Sequence, residues 1–598
     1  MILKRWVYLN ETVKKQQRTV ETDVLVVGSE GAGCRAAIEA SKHGTKVTVV
    51  TKGRVGKCGV TMLAGADIMV DGASLHNLGF PGNPEDTREK FFRDVVVEGF
   101  YLNNQRLVEV YVNDAPQRVK ELLDWGLKVL GHEDRAIITS GVEIVKALRN
   151  GLKKCNVNLV EDTMIVDLLT NGRSVVGAFG VNIKTGEFIT FKSKAVVLAT
   201  GGWHQAYSFT SGTNELTGDG QAMAYRVGAE LVDMEMVTFC PNVILYPPMY
   251  RGNIFTYVVH ARLLNNKGEA FMDRYDAGIK EIAEKTEWNK LIHSIASMRE
   301  IVDGLGSEHG GVYWSLRHLS RSEVEDIGQS NPFVLGWKFQ GIDYSELMKH
   351  VMEGYDIEVA PAAHYFEGGI KIDENCATSI EGLYAAGECT GGLFGANRVS
   401  AATTEMLVEG AVAGGKAAEY ARKIGEVKID LDQVKELVEK TLSPLKKRKG
   451  LKVMDLRRHV QEVAYKKIGV LRDGEHLKGA IQELKRIREE DLPRVCVGLK
   501  GFKYNLEWIE ALQLENMIQV LEISARSALL RRESRGVHYR VDYPKTDNDH
   551  WLRNIVIKRV NGELKLTTRP VVVSRVDPPR GVIAFEDMIK NAVKILRS

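Results

Sequence analysis

One stretch near the amino terminus, ETDVLVVGSEGAGCRAAIEASKHGTKVTVVTKG (Glu21 to Gly53), restricts the possible folds more than any other. Val24 to Val27 is a short apolar run, the pattern of a strand buried on both faces. A turn follows over Gly28, Ser29, Glu30, Gly31, Ala32 and Gly33. Cys34 to Lys42 has helical composition, with Ala36, Ala37 and Ala40 small enough to lie flat on a sheet. His43-Gly44 ends that helix, and Val47 to Val50 is a second strand, closed by Thr51, Lys52 and Gly53. The unit is a β-α-β crossover with a glycine turn at the end of its first strand, the plan of a dinucleotide site. Glycines let the backbone approach a pyrophosphate, and the helix N-terminus offers N–H groups and a partial positive charge. The pattern G-x-G-x-x-G asks for glycine at position 30, where Glu30 stands. A carboxylate beside a pyrophosphate is unfavourable, so Glu30 is expected to point away or to accept from a ribose hydroxyl or a backbone N–H.

The 598 residues allow roughly two to four domains. With 44% hydrophobic and 27% charged residues, the balance is that of an ordinary soluble globular protein. A net charge of +3 gives no argument for nucleic-acid binding at this size. No stretch approaches the roughly 18 uninterrupted apolar residues of a transmembrane helix, and MILKRWVYLN lacks a signal-peptide core. The cysteines (Cys34, Cys58, Cys155, Cys240, Cys376, Cys389 and Cys496) are far apart and form no CxxC. That favours a reduced, cytoplasmic setting without disulfides and without a metal or iron–sulfur site in this chain.

Residues 1–20 read as a polar, basic arm. The glycine-rich run 54–84, which includes Gly65, can pass close over a flat cofactor. Residues 85–130 have a helical pattern, and 162–191 alternate like strands about a turn at Asn171-Gly172. Ala195 to Ala199 is another buried strand, followed directly by Thr200-Gly201-Gly202. A third such site is Gly382 to Glu388, a strand ending at a carboxylate, then Gly391 to Arg398 and a small-residue helix from Thr403 to Ala421. Three glycine turns at strand ends, far apart in sequence, point to one large cofactor held by a discontinuous domain, because open sheets bind ligands at the carboxyl ends of their strands. The expected fold is α/β: a discontinuous Rossmann-like domain over 21–232 and 356–425, an inserted α+β capping domain over 233–355, and a mainly helical carboxy-terminal domain over 426–598 with a strand-like segment near Trp551 to Leu566. The basic runs Lys446 to Lys449 and Arg531-Arg532 read as solvated faces.

Seven further segments carry a specific resemblance: AVVLATGG (195–202), TGDG (217–220), RLLNNKGEAFMDRY (262–275), AAHYFEGGI (362–370), GLYAAGE (382–388), GANR (395–398) and RRESRGVHYRVDYPKTDNDHW (531–551). Through them the chain resembles, as a divergent member, the flavoprotein subunit of the succinate dehydrogenase and fumarate reductase family, which includes L-aspartate oxidase. The resemblance implies FAD, a mobile cap, and hydride transfer between flavin N5 and a carboxylate substrate. It implies cofactor contacts from Gly28 to Gly33, Thr51 to Gly53, Gly65, and Ala199, Thr200, Gly201 and Gly202. It also implies sugar-binding carboxylates Asp219 and Glu388, and Arg398, Thr403 and Thr404 beside the flavin. His364 and Arg398 match the substrate-carboxylate ligands, a directional N–H beside a planar fork.

The departures are informative. The family's QFHP-like segment reads Thr238-Phe239-Cys240-Pro241, so Cys240 stands where a substrate-binding histidine is expected. The Thr-Glu segment is replaced by Asn253 to Arg262, and the cap's proton-donating arginine falls near Ile295, with Arg299 one turn on. Arg299, Arg262 and His260 are therefore candidate replacements. Cys240 is either a polarizable thiol in the site or a small buried filler. No histidine occurs in 54–66, where the family links its flavin, so FAD is expected to be bound non-covalently. With one ligand set for a dicarboxylate missing, succinate and fumarate are expected to be poor substrates. The expected partner is an iron–sulfur protein, through which the chain could sit on the inner face of a membrane. The alternatives are an L-aspartate-oxidase-like or adenylylsulfate-reductase-like flavoenzyme, and a non-catalytic electron-transfer flavoprotein.

Overall fold

The computed structural model describes residues 17–255, 260–286, 288–330, 343, 345–399 and 401–597. Its largest sheet has seven strands. Val157–Val160, Val47–Val50, Gln17–Val27 and Phe188–Leu198 lie side by side and parallel. The far edge of Phe188–Leu198 is shared. Residues 196–198 pair in parallel with Leu383–Ala385, and residues 188–192 pair antiparallel with Ser174–Asn182, which pairs with Thr163–Asn171. Three chain segments remote in sequence thus end their strands at one edge of the same sheet. The first strand starts at Gln17, inside the segment read as a polar arm. Gln17 to Val20 pair with Phe188 to Phe191, backbone bonding that needs no apolar side chains. Residues 1–16 of that arm lie outside the described residues.

Helix Gly31–Lys42 and helix Ala402–Lys423 pack against each other, and both lie on the sheet. Small residues bring the two together: a Cβ on Gly414 would sit 2.2 Å from the Ala36 carbonyl oxygen. The alanines that looked flat in the sequence are the contact surface, and Ala36, Ala37 and Ala40 are fully buried.

The cap is built on an antiparallel sheet in the order Val237–Tyr246, Ile357–Phe366, Val312–Ser315, Arg262–Leu264. Helix Asn289–Val302 packs on it, and Ser294 Oγ donates to the Phe239 carbonyl at 2.7 Å. The carboxy-terminal region contributes helices Leu431–Lys446, Val453–Lys467, Gly474–Arg486 and the long, largely buried Leu506–Leu530. The strand-like segment is a hairpin, Arg553–Val560 with Glu563–Pro570. Its first strand joins Leu231–Val232 in a five-stranded sheet, so it docks back on the body of the protein. Arg531 is a correction to the sequence reading. It is fully buried, not solvated, because its guanidinium pairs with Asp233, Glu235 and Glu533, and burial is tolerated where every charge is met. Its neighbour Arg532 is exposed.

Candidate active site

The three glycine turns converge. Gly28 N donates to Val50 O at 2.9 Å and Ala199 N to Val27 O at 2.8 Å, which ties the first turn to the second. Gly28 has φ +110°, and a Cβ there would sit 2.0 Å from the Ala199 carbonyl oxygen. A Cβ on Gly33 would sit 2.1 Å from Gly28 O. Only glycine fits either position, so Gly28 to Gly33 and Ala199 to Gly202 form one backbone cradle. Ser29, Gly31 and Ala32 are buried within it. Glu30 stands at the helix N-cap without a side-chain cap bond, and its side chain lies against Gly59. Burial pushes its carboxyl up to about 7, against the pull of Thr61 and the Cys58 amide.

Thr51, Lys52 and Gly53 close the second strand. Lys52 Nζ donates to Glu215 O at 2.8 Å and Thr217 Oγ1 at 2.9 Å, and pairs with Asp219. Asp219 also accepts from Thr217 Oγ1 and Asn516 Nδ2, both at 2.8 Å, so its carboxylate is already well anchored. Thr200 Oγ1 is buried without a hydrogen-bond partner among the described residues. Gly202 N donates to Glu388 Oε2 at 3.2 Å, and His204 Nε2 lies 3.3 Å from Oε1. Burial pushes Glu388 up to about 8. Gly65 opens strand Gly65–Met69, which is stitched to the helix start at 402: Thr403 Oγ1 donates to Asp67 O, and Thr404 Oγ1 donates to Met69 O at 3.0 Å. A cradle that Cβ atoms would fill, an unpartnered threonine hydroxyl and a carboxyl ready to accept from sugar hydroxyls together fit a flavin dinucleotide.

His364 and Arg398 come from different segments; Arg398 lies on the ring of Tyr365, the residue after His364, and its charge is felt at both His364 and Glu388. Ser211 Oγ and His364 Nδ1 are 2.8 Å apart. Burial, reinforced by the charges of Lys290 and Arg398 and by His204, holds His364 well below the usual imidazole range, so it is neutral. The Arg398 guanidinium lies 4.3 Å from the Tyr365 ring centroid. Tyr365 OH donates to Glu405, and Thr238 Oγ1 donates to Glu367. Burial raises Glu367 to about 7 and Glu405 to about 8, so near neutrality Glu405 is mostly protonated and Glu367 about half so, and together they offset less of the charge of Arg398 than two carboxylates would.

The remaining candidates lie elsewhere. Cys240 is 1% exposed, inside a small core with Phe209, Val243 and Ala362, and its thiol donates to Asn242 Oδ1 at 2.9 Å. Arg299 donates to Tyr539 OH at 2.6 Å and Tyr275 OH at 3.2 Å, against the carboxy-terminal region. His260 and Arg262 are exposed and act electrostatically on His318, not on His364. Of Asn253 to Arg262, residues 256–259 lie outside the described residues. Lys290 and Ser211 are neighbours of His364 that the sequence reading missed. Lys290 sits in the first turn of a cap helix, where an alignment anchored on an arginine does not look. Among the described residues no group of histidines, cysteines and carboxylates could hold a metal, and no helix is long and apolar enough to cross a membrane.

Comparison with known proteins agrees with this geometry. Residues 23–139 and 130–404 match the FAD binding domain family, and 457–583 match the fumarate reductase flavoprotein C-terminal family. One component of the fumarate reductase (CoM/CoB) of Methanothermobacter marburgensis is 33% identical, over 90% of this chain and 97% of that one. The fumarate reductase flavoprotein subunit of Mycobacterium tuberculosis is 30% identical, over 94% and 99%. Among solved structures, Mycobacterium smegmatis Sdh1 superposes with a TM-score of 0.82 at 29% identity, over 94% of this chain and 96% of that one. The chain is an FAD-dependent oxidoreductase that belongs to the fumarate reductase/succinate dehydrogenase flavoprotein family.

Proposed function

We propose that this chain is the catalytic component that moves hydride between FAD and a carboxylic acid held by His364 and Arg398, and that its electrons are exchanged with an iron–sulfur partner. The single observation that carries the reading is the pairing of a neutral, Ser211-anchored His364 with Arg398 next to the glycine cradle. When bound, FAD supplies the hydride-accepting and hydride-donating centre. Arg398, stacked on Tyr365, offers its fork to the substrate carboxylate. His364 is oriented by Ser211 through Nδ1 and presents Nε2 to the same carboxylate. Its neutrality avoids a second fixed charge beside Arg398.

FAD is held non-covalently in this reading. Cys58 occupies the stretch where the family links its flavin, and burial pushes its thiol up, which disfavours the thiolate a thioether bond would need. Acid precipitation should leave the yellow colour in the supernatant. The partner follows from where the electrons must go, since the described residues hold no cluster-binding cysteine set. The test is anaerobic titration of the flavin with a panel of saturated and unsaturated carboxylic acids. Bleaching or recolouring by a subset supports the reading. A flavin untouched by every acid but rapidly reoxidised by oxygen would instead favour a different reaction.

A further inference from the structure

Two basic stretches far apart in sequence share one face of the carboxy-terminal region. Residues 447–454 carry Lys447, Arg448, Lys449 and Lys452 and no carboxylate, and residues 492–506 carry Arg494, Lys500 and Lys503 and no carboxylate. The fold joins them. Leu451–Lys452 pairs in parallel with Val495–Cys496. Lys500 Nζ donates to Lys447 O at 2.6 Å, and a Cβ on Gly450 would sit 1.9 Å from Arg494 O. Arg448, Lys449, Lys452 and Lys503 are exposed, and their side chains make no ion pair among the described residues. A chain with a net charge of only +3 thus gathers unmatched positive charge at one place.

The same face exposes large apolar side chains. Leu499 is 70%, Tyr504 67% and Leu506 62% exposed. The loop that carries them is firmly held. Asn505 Nδ2 donates to Leu499 O at 2.9 Å and to Gly501 O at 2.7 Å, and Tyr504 N donates to Ile183 O at 3.0 Å. Phe502 turns inward, its ring centroid 5.6 Å from that of Trp508 and 6.4 Å from that of Phe188. One aromatic therefore anchors the loop while its neighbours stand out. Tyr504 is kept at φ +52°, which is costly for a bulky residue. Exposed leucines and a tyrosine flanked by unpaired lysines and arginines match the chemistry of an anionic lipid interface, where rings and aliphatic tips enter and cations meet phosphates.

Its place in the fold argues against an electron-carrying partner. Strand Phe188–Leu198 starts under this loop and ends at the Ala199 cradle, so it separates the two by roughly 33 Å at about 3.3 Å per residue. Electron exchange needs a close approach to the flavin, and this face lies at the other end of the strand. A nucleic acid would be met by the cations but gains nothing from exposed leucines. We propose that this face seats the protein directly on an anionic membrane, with Leu499, Tyr504 and Leu506 in the headgroup layer and Arg448, Lys449, Lys452 and Lys503 on lipid phosphates. The cradle is then turned away from the lipid. The contact is made by this chain's own residues and is independent of the reading of His364 and Arg398.

The test is co-sedimentation of the full, FAD-loaded chain with vesicles of phosphatidylglycerol mixed with phosphatidylcholine, and with phosphatidylcholine alone. Partitioning onto the anionic vesicles should be more than about tenfold stronger, and should fall severalfold between about 0.1 M and 1 M salt. Arg448→Glu combined with Lys449→Glu should lower it more than about tenfold. Leu499→Ser combined with Tyr504→Ser and Leu506→Ser should lower it more than about fivefold at unchanged flavin content. Should that triple variant misfold, Leu499→Trp keeps the apolar tip, and its added emission should shift to shorter wavelength on anionic vesicles only. Equal partitioning onto both vesicle types, binding indifferent to the apolar substitutions, an unshifted Leu499→Trp emission, or tighter binding to double-stranded DNA than to the anionic vesicles overturns the proposal.

Discussion

The floor of this site and its roof were built under different constraints. The floor is backbone: glycine turns at Gly28, Gly33 and Gly201, where added atoms would strike carbonyl oxygens or neighbouring side chains. The roof is the cap, where side chains such as Lys290, His293 and Ser297 stand on one helix and Cys240 is shut into a small core of its own. A dinucleotide is the same molecule wherever it binds, so the floor has little freedom. A substrate's distal end differs among enzymes, and a cation can reach it from any of several turns of a cap helix. The floor therefore keeps a recognisable order of residues, while the roof can move its chemistry from one position to another.

The largest effect should come from the floor. Gly28→Ala forces a Cβ to within 2.0 Å of the Ala199 carbonyl oxygen at φ +110°. Flavin content of the purified protein should fall more than about tenfold, because neither the turn nor the strand end beneath it can yield cheaply. Gly44 also has positive φ, +74°, but nothing lies within 4 Å of its Cβ position. Gly44→Ala should cost only about 1–2 kcal/mol in stability and leave flavin content intact. Equal effects from the two substitutions would remove the reason for treating the floor as special.

Next comes the proximal half of the substrate site. Arg398→Lys keeps the charge but loses the fork, and should lower kcat/KM about a hundredfold with flavin content unchanged. A loss within about threefold would place the main anion site elsewhere.

A pH experiment separates the cofactor's polar contacts from the cradle. In the flavin-free chain Glu388 is pushed up to about 8 and Glu30 to about 7, both by burial. Both pKa values are raised above the unfolded value, so the stability tied to them is full below about pH 4.5 and is lost as pH rises through 7 to 8. Sugar hydroxyls that donate to the ionised form would pull Glu388 down again. FAD binding should then release protons, and its affinity should rise with pH between about 6 and 8. Isothermal titration in buffers of different ionisation enthalpy reads this directly, and Glu388→Gln should flatten the dependence.

The smallest effect should be at Cys240. Its thiol sits in a closed apolar cluster. Cys240→Ala should leave kcat within about twofold and cost about 1 kcal/mol in unfolding free energy. A large loss of turnover with normal stability would show the thiol acting on substrate.

These contrasts explain how much the sequence disclosed. The β-α-β unit, the parallel strands at Val47–Val50 and Phe188–Leu198 and the return of Leu383–Ala385 to the same sheet were legible, because each strand ends in a short apolar run and each run is followed by a glycine turn. The docking of the Arg553–Pro570 hairpin onto Leu231–Val232 was not, because pairing partners remote in sequence leave no local signal. Arg531 misled for a related reason. A basic doublet looks solvated until two carboxylates from a distant segment, Asp233 and Glu235, are found with the neighbouring Glu533 around one of its members. On the roof, matching by position led to Arg299, which faces tyrosines, whereas the polar stripe beginning at Lys290 is visible only once the helix and its direction are known.

The most direct test of the central claim, a kept floor with a re-equipped roof, is single-turnover reoxidation of the chemically reduced, FAD-loaded chain by an unsaturated dicarboxylate under anaerobic conditions. Wild type should recolour in one phase. Arg398→Lys should slow it at least about tenfold, and Cys240→Ala and Arg299→Ala should not, all with full flavin content. Reoxidation that survives in Arg398→Lys but fails in Arg299→Ala would contradict the account.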